Sequence, residues 1–234
     1  MAEAFAEAGA IVAVHYRSGR SSAETTAARI REGGGSAITV MADLTMAGEG
    51  SRLVSETAEA FGGLDVLINN AGGPVALEPV RTMSDGHFDA VFNLNARSVF
   101  ETCQAAIPHL EKGEEASSII NVTSLSAKLG GSVGAALYGA SKAFVAAFTK
   151  NLSRELAAKG VRVNALSPGY METPLHEGLT PPELAASWTS QIPLGRAGKP
   201  EDCVGAALFL ASPTLSGFIT GQTIEVNGGQ YTGN

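Results

Sequence analysis

Residues 64–73 read Leu-Asp-Val-Leu-Ile-Asn-Asn-Ala-Gly-Gly. The run from Leu64 to Ile68 lies between two breaker pairs, Gly62-Gly63 and Asn69-Asn70. So short a run, closed at both ends by turn-forming residues, predicts a buried strand rather than a helix. The same unit recurs at Ile11–Val14, Ser36–Met41, Ser118–Val122, Val161–Leu166 and Phe218–Val226. Helical stretches alternate with these strands. Met1–Ala8 is made of strong helix formers, and Gly9 stops it. Ser21 and Ser22 offer caps for a helix reaching Arg31, and Gly48–Phe61, Asp85–Leu110, Leu137–Ala157 and Pro200–Ala211 follow. Apolar strands separated by helices predict an α/β fold with a parallel sheet covered on both faces. No repeat or linker interrupts the pattern, so residues 1–234 are expected to form a single domain. Residues 170–199 are too long for an ordinary connection. They are expected to form a substrate-binding lid, with a plain surface excursion as the alternative.

Composition narrows the function. Hydrophobic residues make up 44% and charged residues 17%, which argues against a disordered chain. A net charge of −7 disfavours nucleic-acid binding. No apolar run approaches the ~18 residues of a membrane span, and no signal-peptide pattern is visible. Cys103 and Cys203 are too few for a disulfide framework and fit a cytoplasmic location. His15, His87, His109 and His176 show no ligand spacing, so no metal is expected.

Ligands of an open parallel sheet bind beyond the carboxyl ends of its strands, so the residues there are the candidates. Tyr16-Arg17-Ser18 follows the first strand. In a dinucleotide fold an acid here holds a ribose hydroxyl and an arginine accepts a 2′-phosphate. The arginine is present and the acid is not. A solvated turn is the alternative. Asp43-Leu44 follows the second strand, where the carboxylate either accepts from an adenine amino group or caps the next helix. Asn70-Ala71-Gly72 lets the backbone approach a flat ligand, or simply turns the chain. Pro168-Gly169, Met171 and Thr173 follow the fifth strand.

Ser124 ends the fourth strand; Tyr138 lies fourteen residues on, and Lys142 four beyond it. Positions i and i+4 share a helix face. An ammonium beside a phenol favours the phenolate, so the Tyr138 pKa is expected to fall below the usual ~10. A tyrosine so tuned serves as a general acid or base. A surface pair is the alternative, weakened by the serine at the strand end. Gly130-Gly131-Ser132-Val133-Gly134 has the form of a nucleophile elbow but lacks the strand directly before it, so a serine hydrolase is not expected.

Together these strand ends resemble the short-chain dehydrogenase/reductase family. The matching pieces are Asn69-Asn70-Ala71-Gly72, Asn95 within Asn93-Leu94-Asn95, Ser124, Tyr138-x-x-x-Lys142, Pro168-Gly169 with Thr173, and Val226-Asn227-Gly228-Gly229. The style is closest to 3-oxoacyl-carrier-protein reductases and to sugar or alcohol dehydrogenases. The resemblance implies a Rossmann-like doubly wound parallel sheet and an NADP(H)-dependent enzyme interconverting a ketone and a secondary alcohol on a small molecule, with NAD a possible substitute. It implies that Tyr138 exchanges a proton with the substrate and Ser124 hydrogen-bonds its carbonyl. Lys142 would lower the Tyr138 pKa and hold the nicotinamide ribose, and Asn95 would hold a relay water. Asp43 and Leu44 would meet the adenine, and Asn70, Ala71 and Gly72 its ribose. Pro168, Gly169, Met171 and Thr173 would hold the nicotinamide amide and pyrophosphate, and Arg17 with Ser18 would select NADP. It also implies a homotetramer.

The family opens with a strand and a glycine-rich turn that seats the pyrophosphate. Neither precedes the helix at Met1–Ala8. The first strand is therefore expected to be missing between the Ile11 and Leu64 strands, leaving two exposed edges. Two explanations compete: a working protein about 20 residues longer, given a strand of ~6 plus the turn, or a short chain that binds cofactor poorly and acts as an inert oligomeric scaffold. The insert carries Tyr170, Leu175, Leu179, Leu184 and Trp188, which favours a moderately apolar substrate. Acidic Glu111–Glu115 disfavours docking of an acidic carrier protein.

Overall fold

The computed structural model describes residues 1–112, 117–173 and 180–233. The expectations placed on Leu175, His176, Leu179, Glu114 and Glu115 lie outside the described residues. Among the described residues six parallel strands form: β1 (Ile11–Tyr16), β2 (Ser36–Met41), β3 (Val66–Asn69), β4 (Ser118–Val122), β5 (Arg162–Pro168) and β6 (Thr223–Val226). They make two sheets, β1-β2 and β3-β4-β5-β6. Among the described residues no strand pairing joins the two sheets, and the resemblance placed a missing strand between β1 and β3.

The helices are α1 (Ala2–Glu7), α2 (Arg20–Glu32), α3 (Glu49–Phe61), α4 (Asp85–Phe92), α5 (Ser98–Leu110), α6 (Ser126–Leu129), α7 (Ala136–Leu156), α8 (Pro182–Ser190), α9 (Val204–Ala211) and α10 (Pro213–Ser216). On one face of the larger sheet, Val54, Val99, Cys103, Val145, Leu152 and Val163 form the main core. On the other, Leu210 and Cys203 pack with Ile120, Val122 and Leu166. A smaller cluster of Ala27, Ile30 and Ala37 joins α1 and α2 to β1 and β2. With both faces covered, β4 and β5 show no in/out alternation.

Several local features differ from the sequence expectation. Ser21 and Ser22 do not cap α2, which starts at Arg20 after Gly19. Their carbonyls instead accept from the Thr25 and Thr26 hydroxyls. The last strand starts at Thr223 rather than Phe218 because Gly221, at φ 72°, turns the chain just before it. Within the 170–199 insert, Pro181 and Pro182 start α8, since a proline costs no hydrogen bond in the first turn of a helix. Asp43 does not cap α3. The buried Glu101 carboxylate of α5 does so, accepting from Gly48 N–H at 3.0 Å and Gly50 N–H at 3.3 Å. Among the described residues, no helix is long and apolar enough to cross a membrane, and no group of three His, Cys, Asp or Glu could hold a metal ion.

Candidate active site

The end of β4 and the start of α7 are locked together. Thr123 N–H donates to Leu166 O at 2.8 Å, and the Thr123 hydroxyl donates to Lys142 O at 2.7 Å. Leu125 N–H donates to Pro168 O at 2.9 Å. The first turn of α7 lies against α6 because residue 139 is glycine: a Cβ there would meet Gly130 O at 2.7 Å. This frame sets Ser124 and Tyr138 on the wall of one cavity of about 880 Å³, with Lys142 beside them.

Lys142 is 2% exposed, and its Nζ donates to Val122 O at 2.8 Å. The ammonium lies 6.0 Å from the centre of the Tyr138 ring. Burial pushes the Lys142 pKa down to about 8. The Tyr138 phenol departs from expectation. Burial pushes its pKa up, and a hydrogen bond with Ser124 pulls it only part of the way back. Desolvation thus outweighs the lowering expected from the neighbouring ammonium.

Asn95 sits in a π-helical turn, Asn93–Arg97, that joins α4 to α5; such turns often mark functional sites. Its side chain is committed to the backbone. Oδ1 accepts from Gly73 N–H at 3.0 Å, and Nδ2 donates to Gly73 O at 2.9 Å and Val91 O at 2.8 Å. Gly72 threads between two of the candidates, since a Cβ there would lie 2.6 Å from Asn95 Oδ1 and 2.7 Å from Lys142 Nζ. Gly169 is similarly tight, with Asn227 2.8 Å from any Cβ.

Of the residues named from sequence, Asn70, Gly72, Ser124, Tyr138, Lys142, Pro168, Gly169, Met171 and Thr173 line this cavity. Asn95 is buried behind Gly72-Gly73. Ala71, Arg17, Ser18, Asp43 and Leu44 do not line it. Arg17 and Ser18 are exposed at the end of β1, and Leu44 is buried. One carboxylate oxygen of Asp43 accepts from the Thr45 hydroxyl at 2.7 Å and the Thr45 N–H at 3.0 Å. Those bonds, aided by the nearby Arg17, hold its carboxyl below the usual range. Gly130–Gly134 is no elbow: its three glycines adopt positive φ, and Gly131 and Ser132 line the cavity wall. Sequence reasoning missed Leu77, Ser126, Ser132 and Gln230 as cavity residues. Leu77, Ser126 and Gln230 carry no motif, Ser132 falls in the run weighed only as an elbow, and the folded loops alone bring the four together.

The model of a family described as enoyl-(acyl carrier protein) reductase matches residues 1–231. A 3-oxoacyl-[acyl-carrier-protein] reductase of Synechocystis sp. is 38% identical over 226 residues, covering 97% of this chain and 89% of the relative. A solved NADH-dependent reductase responsible for alginate metabolism superposes with a TM-score of 0.90 at 34% identity, covering 99% of this chain and 91% of that one. A short-chain dehydrogenase from Burkholderia cenocepacia, solved in complex with NADP, gives 0.88 at 31% identity, covering 98% and 91%. The chain belongs to the short-chain dehydrogenase/reductase family and is an oxidoreductase.

Proposed function

We propose that the chain interconverts a ketone and a secondary alcohol on a small molecule, with NADP(H) as hydride partner. The observation that carries this reading is the gathering of Ser124, Tyr138 and the buried Lys142 at one cavity. The cavity suits a dinucleotide. Gly72 and Gly169 line it without a side chain, which suits close approach of backbone to a flat ligand. Asn70, Ala71 and Gly72 would hold the adenine ribose, with Asp43 and Leu44 near the adenine. Pro168, Gly169, Met171 and Thr173 would hold the nicotinamide end. Arg17 and Ser18 favour the 2′-phosphate of NADP over NAD. The solved relatives divide between an NADH-dependent enzyme and one holding NADP. The dinucleotide, when bound, supplies or accepts the hydride.

The chain's own residues move the proton. In the reductive direction the Tyr138 hydroxyl donates its proton to the carbonyl oxygen as charge develops there, and in oxidation it takes the proton back. Ser124 donates a hydrogen bond to the same oxygen and fixes its position. The Lys142 ammonium stabilises the phenolate left behind. Asn95 is a positioning residue that holds Gly72-Gly73 beside Lys142. Residues 170–199 serve as the lid, with Trp188 of α8 on the cavity wall. Phe88, Phe100 and Phe144 expose an apolar face across α4, α5 and α7 that suits the helix contacts of a homotetramer. The two buried free cysteines fit a cytoplasmic setting.

Tyr138→Phe tests the mechanism. Turnover should fall by at least ~10³-fold with an unchanged circular dichroism spectrum, a loss at the upper end for a general acid. Near-normal turnover would sink it. Titration with NADPH and with NADH, read by Trp188 fluorescence, tests the cofactor. Tighter binding of NADPH is expected, and no response to either would favour the inert scaffold. A second reading has support from relatives named as carrier-protein reductases: the ketone could be borne on a carrier-linked acyl chain. Comparing a free ketone with a 3-oxoacyl thioester separates the two.

A further inference from the structure

We propose that the substrate carries hydroxyl groups beside the reacting carbon and that Gln230 reads one of them. The inference rests on the ketone/alcohol reading above and names its substrate class. Gln230 lines the cavity from the turn that follows β6. That turn is held in place. Gln230 N–H donates to Asn227 O at 3.2 Å, Asn227 Nδ2 donates to Tyr231 O at 3.1 Å, and Gly229 N–H donates to Asn227 Oδ1 at 2.9 Å. Leu194 N–H also donates to Gly228 O at 3.1 Å, tying the turn to the end of the 170–199 insert.

On this fixed frame the side-chain carbonyl oxygen is unsatisfied. Gln230 Oε1 is buried with no hydrogen-bond partner among the described residues. A buried carbonyl oxygen without a donor loses its hydration and gets nothing back, and such groups in native proteins call for a functional explanation. The terminal torsion of glutamine is soft, so the amide can turn toward the cavity that the residue lines. Ser126 and Ser132 line the same cavity. Tyr170 and Trp188, edge to face at 5.2 Å and 70°, add an aromatic surface. A wall of amide and hydroxyl groups with an aromatic surface suits a molecule with an edge of hydroxyls and a face of C–H bonds. That describes a polyhydroxylated ketone. An alkyl acyl chain has no donor for Gln230 and would leave its oxygen buried and unpaired.

The experiment compares a hydroxyketone with its deoxy counterpart of equal chain length, using the full-length protein with NADPH and NADH. The wild type should favour the hydroxyketone in kcat/KM by roughly 10- to 100-fold, as expected for one or two hydrogen bonds to a substrate hydroxyl. Gln230→Met keeps the side-chain volume and should erase most of that preference, leaving the deoxy ketone within about twofold of wild type. Turnover of the deoxy ketone reports that the variant is folded. If the variant does not fold, the wild-type preference alone decides. Equal turnover of the two ketones by wild type, or an equal loss on both in Gln230→Met, overturns the inference and leaves the oxidoreductase reading standing. Failure of the wild type to reduce either ketone or any other in a panel, with either cofactor, overturns that reading as well.

Discussion

Every residue of β4 is buried, whereas no residue of β1 is. The contrast runs through both halves of the molecule. The half built on the larger sheet holds Ser124 just beyond β4 and Tyr138 and Lys142 on α7, and packs on a core that draws on α3, α5 and α7. The β1-β2 pair carries Arg17, Ser18 and Asp43 and rests on three buried residues with four partly buried neighbours. The groups proposed to move the proton therefore sit where packing dictates their positions. The groups expected to choose the cofactor sit on exposed turns, where substitution is tolerated. Chemistry needs sub-ångström placement, while selectivity for a phosphate needs mainly a charge within reach.

The largest effect that would test this contrast is at Gly72. A methyl group there collides with both Asn95 Oδ1 and Lys142 Nζ, and both are buried and held by hydrogen bonds. Gly72→Ala should cut turnover by about 100-fold or more, the cost of displacing a catalytic group by an ångström. The helical circular dichroism signal should persist. Ordinary turnover in Gly72→Ala would show that the catalytic half yields as easily as its neighbour.

The next effect is electrostatic. Burial holds the Lys142 pKa at about 8, below its usual 10.5. Between these values the unfolded chain binds a proton that the native protein does not, so the lysine makes stability rise with pH across this window. The gain is at most roughly 3 kcal/mol, at about 1.4 kcal/mol for each pH unit. Cys103 acts in the opposite sense from about pH 9, because burial pushes its thiol up to about 12. Comparing wild type with Lys142→Met in urea at about pH 7.5 and about pH 10 removes the cysteine contribution. The wild type should gain on the variant at the higher pH. A constant difference would mean that Lys142 is better solvated than its burial implies.

Packing gives a smaller contrast. Leu152→Ala, in the main core, should cost about 3 kcal/mol, and Ile30→Ala, in the small cluster, about 2 kcal/mol, because the thinner region collapses more readily around the lost atoms. Hydrogen exchange should follow the same order, with slow amides in β4 and β5 and faster ones in β1. Equal costs and equal protection would break the comparison.

How much of this was legible in the sequence depended on the range of the interaction. The β4 limits, Ser118 and Val122, were read correctly because a short apolar run between turns is local information. So was the Tyr138–Lys142 spacing on α7, which is one helical turn. The direction of the Tyr138 shift was not legible, since it depends on how much protein covers the ring, a property of the whole fold. The tight passage of Gly72 past Lys142 joins residues far apart in the chain. Gln230 stands in a turn whose composition looks like any solvated loop, Ser132 stands in a run legible only as an elbow it is not, and the closing of the cavity alone brings both to the site. The π turn at Asn95 lies inside a continuous helical pattern and carries no signal of its own.

The smallest effect concerns Val75, the only non-glycine residue with positive φ among the described residues, at 64°. Ala76 N–H donates to Pro74 O at 2.7 Å, closing a three-residue turn around it. A β-branched residue is costly in this conformation, and such strain persists only where the surroundings impose it. Here the next contacts do so. Glu78 N–H donates to Gly134 O at 3.0 Å, while Pro74 and Leu77 line the cavity wall. The loop leaves β3, a half-buried strand, and reaches the site built on fully buried β4, so it spans the two kinds of packing. Val75→Gly removes the steric cost but gives the unfolded chain more freedom, so the net gain should be about 1 kcal/mol by thermal melt. If the strain holds Pro74 and Leu77 against the substrate, KM should rise by roughly two- to threefold at constant kcat, the signature of lost uniform binding. Stabilisation with an unchanged KM would make the strain incidental to the site. A loss of stability would show that the valine side chain, half exposed as it is, packs better than its backbone geometry suggests.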